Sequence, residues 1–310
     1  MADNKQVCCV FVYNHKHDNI DKLHKLYSSR FSNIYHLIPF YQGDNPQVIP
    51  IYENSYTFQG YFAQAYKSIY HEKFSHYIFI ADDLILHPDI NESNILQELR
   101  LGSNSAYIKE LISLSDVNFK NWTHSLSAIQ TFSRVCHKDT FVKVNELLPS
   151  YEQAMKKFHK HNIYCRDITA RNIENCNGNY LSCSKSFIAM VAEKIAAYGS
   201  YPMPYPLAMG YSDFIIIPAK SMQPFCHYSG ILAAIGLFVE SAIPTAMLLA
   251  CKHIVTEKET LWYGTEFWDF NTILYAQQKN YDLQCLLQGF EIRQLYIHPI
   301  KISTWSDKNL

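Results

Sequence analysis

The residues best placed to do chemistry are two adjacent carboxylates, Asp82 and Asp83, in the segment Y-I-F-I-A-D-D-L-I-L-H-P from Tyr77 to Pro88. Tyr77 to Ile80 form an apolar run that leads into them, and Leu84-Ile85-Leu86 follows before His87-Pro88 breaks the segment. A run of this kind reads as a strand buried on both faces of a parallel sheet. Ligands of open α/β sheets sit outside the carboxyl ends of the strands. Carboxylates placed there are costly unless positive charge meets them, and a divalent cation holding a phosphate is the usual solution. The competing reading of such a pair is a solvated turn or a helix cap. Asp82 and Asp83 are therefore the first candidates for a metal and nucleotide site.

The elements that must position this pair follow from the order of the chain. Val7 to Tyr13 reads as a first buried strand, Asn19 to Arg30 as a helix, Ile34 to Tyr41 and Val48 to Tyr52 as strands, and Tyr56 to Tyr70 as a helix before the Tyr77 strand. That alternation predicts an α/β class with a mostly parallel, Rossmann-like central sheet flanked by helices. It places the loop after the first strand, Tyr13 to Asp18, beside Asp82 and Asp83. Gln59 and Gln64 on the second helix are within reach of the same cleft, and His15 and His17 read as solvated. Residues 103–200 read as a mostly helical insertion, with helical pieces at Ala106 to Leu114, Asp139 to Leu147, Tyr151 to His161 and Phe187 to Ala197. Within it, Lys156-Lys157 and His159-Lys160-His161 read as a solvated helix end. A strand at Phe214 to Ile217 and a buried core helix within Cys226 to Cys251 follow. The division expected is one domain over 1–310, with a nucleotide half (1–102), the insertion (103–200) and an acceptor half (201–310).

Several patches resemble one family group. A-D-D-L-I-L-H-P-D-I is similar to the E-D-D-L-x-x-x-P-D-F segment of the N-acetylglucosaminyltransferase I family, and more loosely to the D-x-D motif of GT-A glycosyltransferases. The resemblance implies that Asp83 ligates manganese and that Asp82 contacts the nucleotide ribose, with Ala81 standing where the family has its first acidic residue. In GT-A enzymes the loop after the first strand helps bind the nucleoside, which implies Tyr13 and Asn14 here. Tyr201 to Lys220 resembles the Y-P-x-Y-x-x-G-x-x-Y-x-x-S segment of the β-1,3-galactosyltransferase and Fringe-like families. That implies cleft positions for Gly210, Tyr211 and Asp213. Near the C-terminus, His298 with Lys301 three residues on resembles an ending in which the His ligates the metal and the basic residue holds the diphosphate. Imidazole with carboxylates suits manganese, and a lysine offsets charge on a leaving group.

Two residues compete for the role of base. Glu240 lies within G-L-F-V-E-S-A-I-P-T, where burial raises a carboxyl's proton affinity toward a useful value; a core salt bridge or cap is the bland alternative. Its position resembles the E-D-V-x-x-G motif of the galactosyltransferase families, with Ser241 in place of the second acid. F-W-D-F resembles the F-W-D-D-W stretch of the N-acetylglucosaminyltransferase I family, which implies Asp269 as base with Glu266 and Trp268 near the acceptor.

Composition narrows the classes. The net charge of −1 gives no broad basic field for nucleic acid. The nine cysteines include no C-x-x-C pair and are odd in number, which suits a reduced chain better than a disulfide framework. The polar start, Met-Ala-Asp-Asn-Lys-Gln, offers no signal peptide or anchor, so a cytoplasmic protein without a transmembrane segment is expected, with peripheral membrane contact left open. Glu240 and Pro244 argue against a spanning helix in the most apolar stretch. The resemblances together imply a GT-A-like hexosyl- or N-acetylhexosaminyl-transferase. It would use Mn2+ or Mg2+ to move a sugar from a nucleotide-diphosphate donor, a UDP-sugar, to a glycan or glycolipid hydroxyl by inverting displacement. A sugar nucleotidyltransferase and a non-catalytic nucleotide- or sugar-binding protein on the same scaffold are the rivals. Tyr13 to Asp18 lacks the glycine-rich loop expected of the former.

Overall fold

The computed structural model describes residues 6–14, 17–119, 122, 124–135, 143–174, 183–267 and 270–308. The first strands are β1 (Gln6–Val12), β2 (Ile34–Pro39), β3 (Val48–Ile51), β4 (Phe74–Ala81) and the short β5 (Ile85–Leu86). The middle of the chain adds β6 (Ser105–Ile108), β7 (Ile112–Ser113), β8 (Ile168–Thr169), β9 (Ser200–Tyr201), β10 (Ala208–Met209) and β11 (Phe214–Pro218). The last strands are β12 (His253–Val255), β13 (Tyr263–Glu266) and β14 (Gln294–His298).

Seven of these form one sheet in the order β12-β6-β11-β4-β1-β2-β3. β1 pairs parallel with β2 and β4, β2 pairs parallel with β3, and β12 pairs parallel with β6; β11 pairs antiparallel with both β4 and β6. Within this sheet β11 alone runs against the others. The α/β class with a mostly parallel sheet between helices is therefore what the chain forms.

The two-residue period of a strand divides its side chains between two packed layers. Cys8, Val10 and Val12 of β1, with Tyr77 and Phe79 of β4, face one layer. The helices Gln59–Ile69, Ala219–Ala234 and Val239–Ala250 supply much of that layer. Val7, Cys9 and Phe11, with Ile78 and Ile80, face the other, where the helices Ile20–Tyr27 and Leu283–Gln288 lie. Burial on both faces explains why these strands read as unbroken apolar runs.

Two expectations change. Ala106 to Leu114 is not helical: Ala106, Tyr107 and Ile108 are buried consecutively in β6, between β11 and β12, and Ile112–Ser113 pairs with β10. Residues 105–108 thus belong to the central sheet. The Cys226 to Cys251 stretch is two helices, Ala219–Ala234 and Val239–Ala250, separated at Gly236, whose φ of +73° takes the left-handed conformation glycine favours. Among the described residues no helix is long and apolar enough to cross a membrane. The helices Tyr151–His159 and Lys185–Tyr198 form where the apolar spacing predicted them. The former is not a merely solvated end: Lys157 Nζ donates to Leu249 O (2.6 Å), and the His161 ring meets Cys251 O, so both cap the helix Val239–Ala250.

A second sheet, β13-β14-β5, stands beside the first. β14 pairs antiparallel with β5, with Ile297 opposite Ile85 and Tyr296 opposite Leu86. Continuing that register brings His298 opposite Leu84, one residue from Asp83. Ile300 N–H donates to Asp83 O (2.6 Å) and holds the crossing.

Candidate active site

Five chain segments meet at one edge of the main sheet. Val12 to Asn14 leave the carboxyl end of β1, and Ala81 to Asp83 leave that of β4. Because β11 is reversed, its beginning, Ser212-Asp213, lies at the same edge. The first turn of the helix Val239–Ala250 supplies Glu240, and the end of β14 supplies His298 and Pro299. With Ser55, Phe58 and Phe238 they line a cleft of about 360 Å3.

A missing donor fixes the Glu240 segment. Pro244 inside the helix has no N–H, so the carbonyl of Glu240, four residues earlier, has no intrahelical partner from it. That carbonyl accepts from Gly210 N–H instead (3.1 Å). A side chain at Gly210 would put Cβ 2.2 Å from Glu110 O, so glycine is required for this approach. Ser241 Oγ donates to Ala208 O (3.1 Å), and Ala208 N–H donates to Thr245 Oγ1 (3.1 Å). Ser241, where the resembled motif has an acid, therefore fastens the helix to β10.

The charged groups of the cleft differ in what holds them. Asp82 is buried and accepts from Asn14 N–H (3.1 Å) and Asn19 Nδ2 (2.9 Å), which clamps the loop after β1. Burial raises its pKa to about 6, and the charge of Asp83 adds to the rise against those two hydrogen bonds. Asp83 is a third exposed, and its Oδ1 lies 3.1 Å from His298 Nε2. Burial lowers the proton affinity of His298, but the Asp83 hydrogen bond and the charges of Asp213, Asp83 and Glu266 outweigh it, so its pKa is raised. His298 is 8% exposed, and its Nδ1 is buried with no hydrogen-bond partner among the described residues. Burial raises Asp213 to about 6, helped by Asp83 and opposed by His298. Burial also pushes Glu240 up to about 7, and the charge of Asp213 adds to this. The indole N–H of Trp122 donates to Glu240 Oε2 (2.9 Å) and pulls the other way.

The structure thus gathers Asn14, Asp82, Asp83, Asp213, Glu240 and His298, and it sets other expected residues apart. The Tyr13 ring borders the cleft, but its hydroxyl bonds His36 Nδ1 (2.9 Å) inside the core, so that hydroxyl does not face a ligand. Lys301 does not enter this cleft; the chain turns at Pro299 and Lys301 lines a neighbouring pocket. Glu266 is held by an ion pair with Lys109 and by the Tyr296 hydroxyl (2.6 Å), so it anchors β13 rather than facing an acceptor. Tyr211 stacks on Tyr296 (5.8 Å, 6°) and meets the His298 ring edge-on (5.6 Å), supporting the imidazole from behind. Gly210 acts through its backbone, as above. Gln59 donates to Leu237 O, and Gln64 accepts from Tyr52 N–H, so neither reaches the cleft. Trp268 and Asp269 lie outside the described residues, as do His15 and the side chain of His17.

Lys109 and Trp122 went unread in the sequence. Each acts on a carboxylate more than a hundred residues away, and no local spacing announces such a pair. Phe238 carried a weak signal, an aromatic two residues before the half-buried acid. Among the described residues no three His, Cys, Asp or Glu side chains gather as a ready metal cage. What exists is a carboxylate oxygen and an imidazole nitrogen in direct contact, open to one side.

Comparison with protein-family models found no match, and comparison with curated proteins found none. Among solved structures the chain is similar to mouse xyloside xylosyltransferase 1 in its apo form, with 9% identity and a TM-score of 0.35, over 94% of this chain and 97% of that one. The likeness is too distant to carry a comparison of individual residues.

Proposed function

We propose that this protein is a metal-dependent glycosyltransferase, moving a sugar from a nucleotide-diphosphate donor to a hydroxyl acceptor. The observation that carries the reading is the convergence of Asp83, His298, Asp213 and Glu240 from separate segments on one cleft at the carboxyl edge of the sheet. Asp83 and His298 would hold the cation, Mn2+ or Mg2+; the pairing of oxygen and nitrogen donors suits Mn2+. Two protein ligands are few, which fits cations that complete their shell with substrate phosphates. When bound, such an ion offsets the charge of the departing diphosphate.

The remaining steps belong to the chain's own side chains. Asn14 and the loop clamped by Asp82 border the nucleotide end of the cleft. Glu240, half ionised near neutral pH, accepts the proton of the acceptor hydroxyl as its oxygen attacks the sugar. Trp122 holds that carboxylate in one orientation. Attack with Glu240 on the acceptor side is a direct displacement and predicts inversion at the sugar carbon. A UDP-sugar is the proposed donor, and a glycan or glycolipid alcohol the proposed acceptor.

The test is calorimetry with UDP and GDP, with and without Mn2+, on the full chain and on Asp83→Ala and His298→Ala, followed by hydrolysis of the donor that binds. Binding that needs Mn2+ and is lost in both variants supports the reading. Binding indifferent to chelator and to both variants overturns it. Binding without turnover, in wild type as in Glu240→Gln, leaves the non-catalytic binder as the answer.

A further inference from the structure

On the far side of Pro299 lies a second cavity of about 430 Å3, and Pro299 is a wall of both. Its other walls include Phe267, Ile273, Ile300, Tyr281 and Trp305. Lys301 is its one charged lining residue among those described, and no described acid pairs with it. The aromatic walls are braced: Phe267 stacks on Tyr275 (4.6 Å between ring centres), and Tyr281 packs against Trp305 (6.0 Å).

The backbone fixes where the Tyr281 wall stands. Tyr281 has φ of +51°, a conformation that a bulky side chain adopts at a cost of about 1 kcal/mol. It is held there by bonds from Tyr281 N–H to Ala276 O (3.0 Å) and from Ser306 N–H to Tyr281 O (2.7 Å). Together with Asn280 (φ +55°) this turn closes the helix Phe270–Gln278, and it sets a partly exposed ring at the wall of this pocket.

We infer that this pocket receives the apolar aglycone of the acceptor, an aryl or alkyl group attached to the sugar or alcohol whose hydroxyl reacts next door. The inference rests on the glycosyl-transfer reading above. An acceptor lying across Pro299 would have its hydroxyl in the cleft that Glu240 lines and its apolar end among Phe267, Tyr281 and Trp305. Mostly apolar walls with a few polar groups are the usual make-up of a small-molecule site. Contacts made by the unreacting end are what an enzyme uses to orient the reacting one. Lys301 would favour aglycones that carry a negative group.

The test needs neither donor nor metal. The full chain is titrated with 8-anilinonaphthalene-1-sulfonate, an aryl anion followed by its fluorescence. Bound dye is then competed with 4-nitrophenyl β-D-glucopyranoside and with methyl β-D-glucopyranoside. The expected result is one dye site per chain, displaced by the nitrophenyl glycoside and not by the methyl glycoside. Ile273 is half exposed, so Ile273→Asp leaves the core intact; by charging the apolar wall it weakens both aryl ligands by about tenfold or more. Lys301→Met, a surface change, weakens the sulfonate dye by about two- to fivefold and leaves the nitrophenyl glycoside unchanged.

Equal displacement by the methyl glycoside overturns the inference. So does unchanged aryl binding in an Ile273→Asp chain whose far-UV spectrum is intact. The pocket assignment survives a failed UDP titration, and it falls with a failed glycoside titration even where UDP and Mn2+ bind, so the two readings fail separately.

Discussion

Replacing Glu240 by Gln should make this protein more stable, by an amount that grows from about pH 4.5 and levels off above about pH 7. The folded environment lifts the Glu240 carboxyl from an ordinary 4.5 to about 7, chiefly by burial. The gap between those values is worth roughly 3 kcal/mol. A group whose folded pKa is raised favours the fold while it is protonated. Its contribution is complete below about pH 4.5 and is lost as pH rises through about 7. Glutamine keeps an oxygen for the Trp122 indole and never ionises. Glu240→Gln should therefore match wild type near pH 4 and exceed it by roughly 3 kcal/mol above about pH 8. For a chain of this length that is a rise in Tm of roughly 4 °C. The assay is thermal and urea unfolding of both proteins, followed by circular dichroism in chelator across about pH 4 to 9. A variant less stable than wild type at high pH, or one whose advantage does not change with pH, would refute the claim that the fold holds this carboxylate against its preference. The case for Glu240 as a poised base would go with it.

Other expectations follow from the same contacts. Trp122→Phe removes the one hydrogen bond that opposes burial, so the Glu240 midpoint should move up by about one pH unit, read by carbon NMR of glutamate-labelled protein. Gly210→Ala forces the backbone away from Glu110 O and should destabilise by about 1–3 kcal/mol in urea unfolding. Lys109→Met leaves Glu266 with only the Tyr296 hydroxyl and should destabilise by about 3 kcal/mol; adding Glu266→Gln should restore part of the loss.

How far the sequence could be read follows from the range of the interactions involved. β1 and β4 were legible because burial on both faces leaves an unbroken apolar run, and Asp82-Asp83 stood out by ending one. Glu240 was legible as an acid in a stretch that otherwise excludes charge. The strands at 105–113 were misread because Ile108, Leu111 and Ile112 satisfy a helical spacing, and only pairing with distant β11 and β10 selects the extended form. Lys301 was misplaced because its spacing from His298 says nothing of which way the chain turns at Pro299. The Tyr13 hydroxyl and the Glu266 carboxylate, read from the sequence as site groups, have partners inside the fold, His36 and Lys109. Those partners come from elsewhere in the chain, and a local pattern carries no trace of them.

The reversal of β11 has a consequence for access. A parallel strand can bring only its last residue to the reactive edge, and the chain must then travel on over that edge to find its next helix. β11 brings the residue just before it, Asp213, and the chain after Asp213 descends into the sheet and away. A third carboxylate is added to the rim without another outgoing loop above it. The direction of one strand thus supplies this carboxylate through an incoming turn, residues 210–212, and not through an outgoing one.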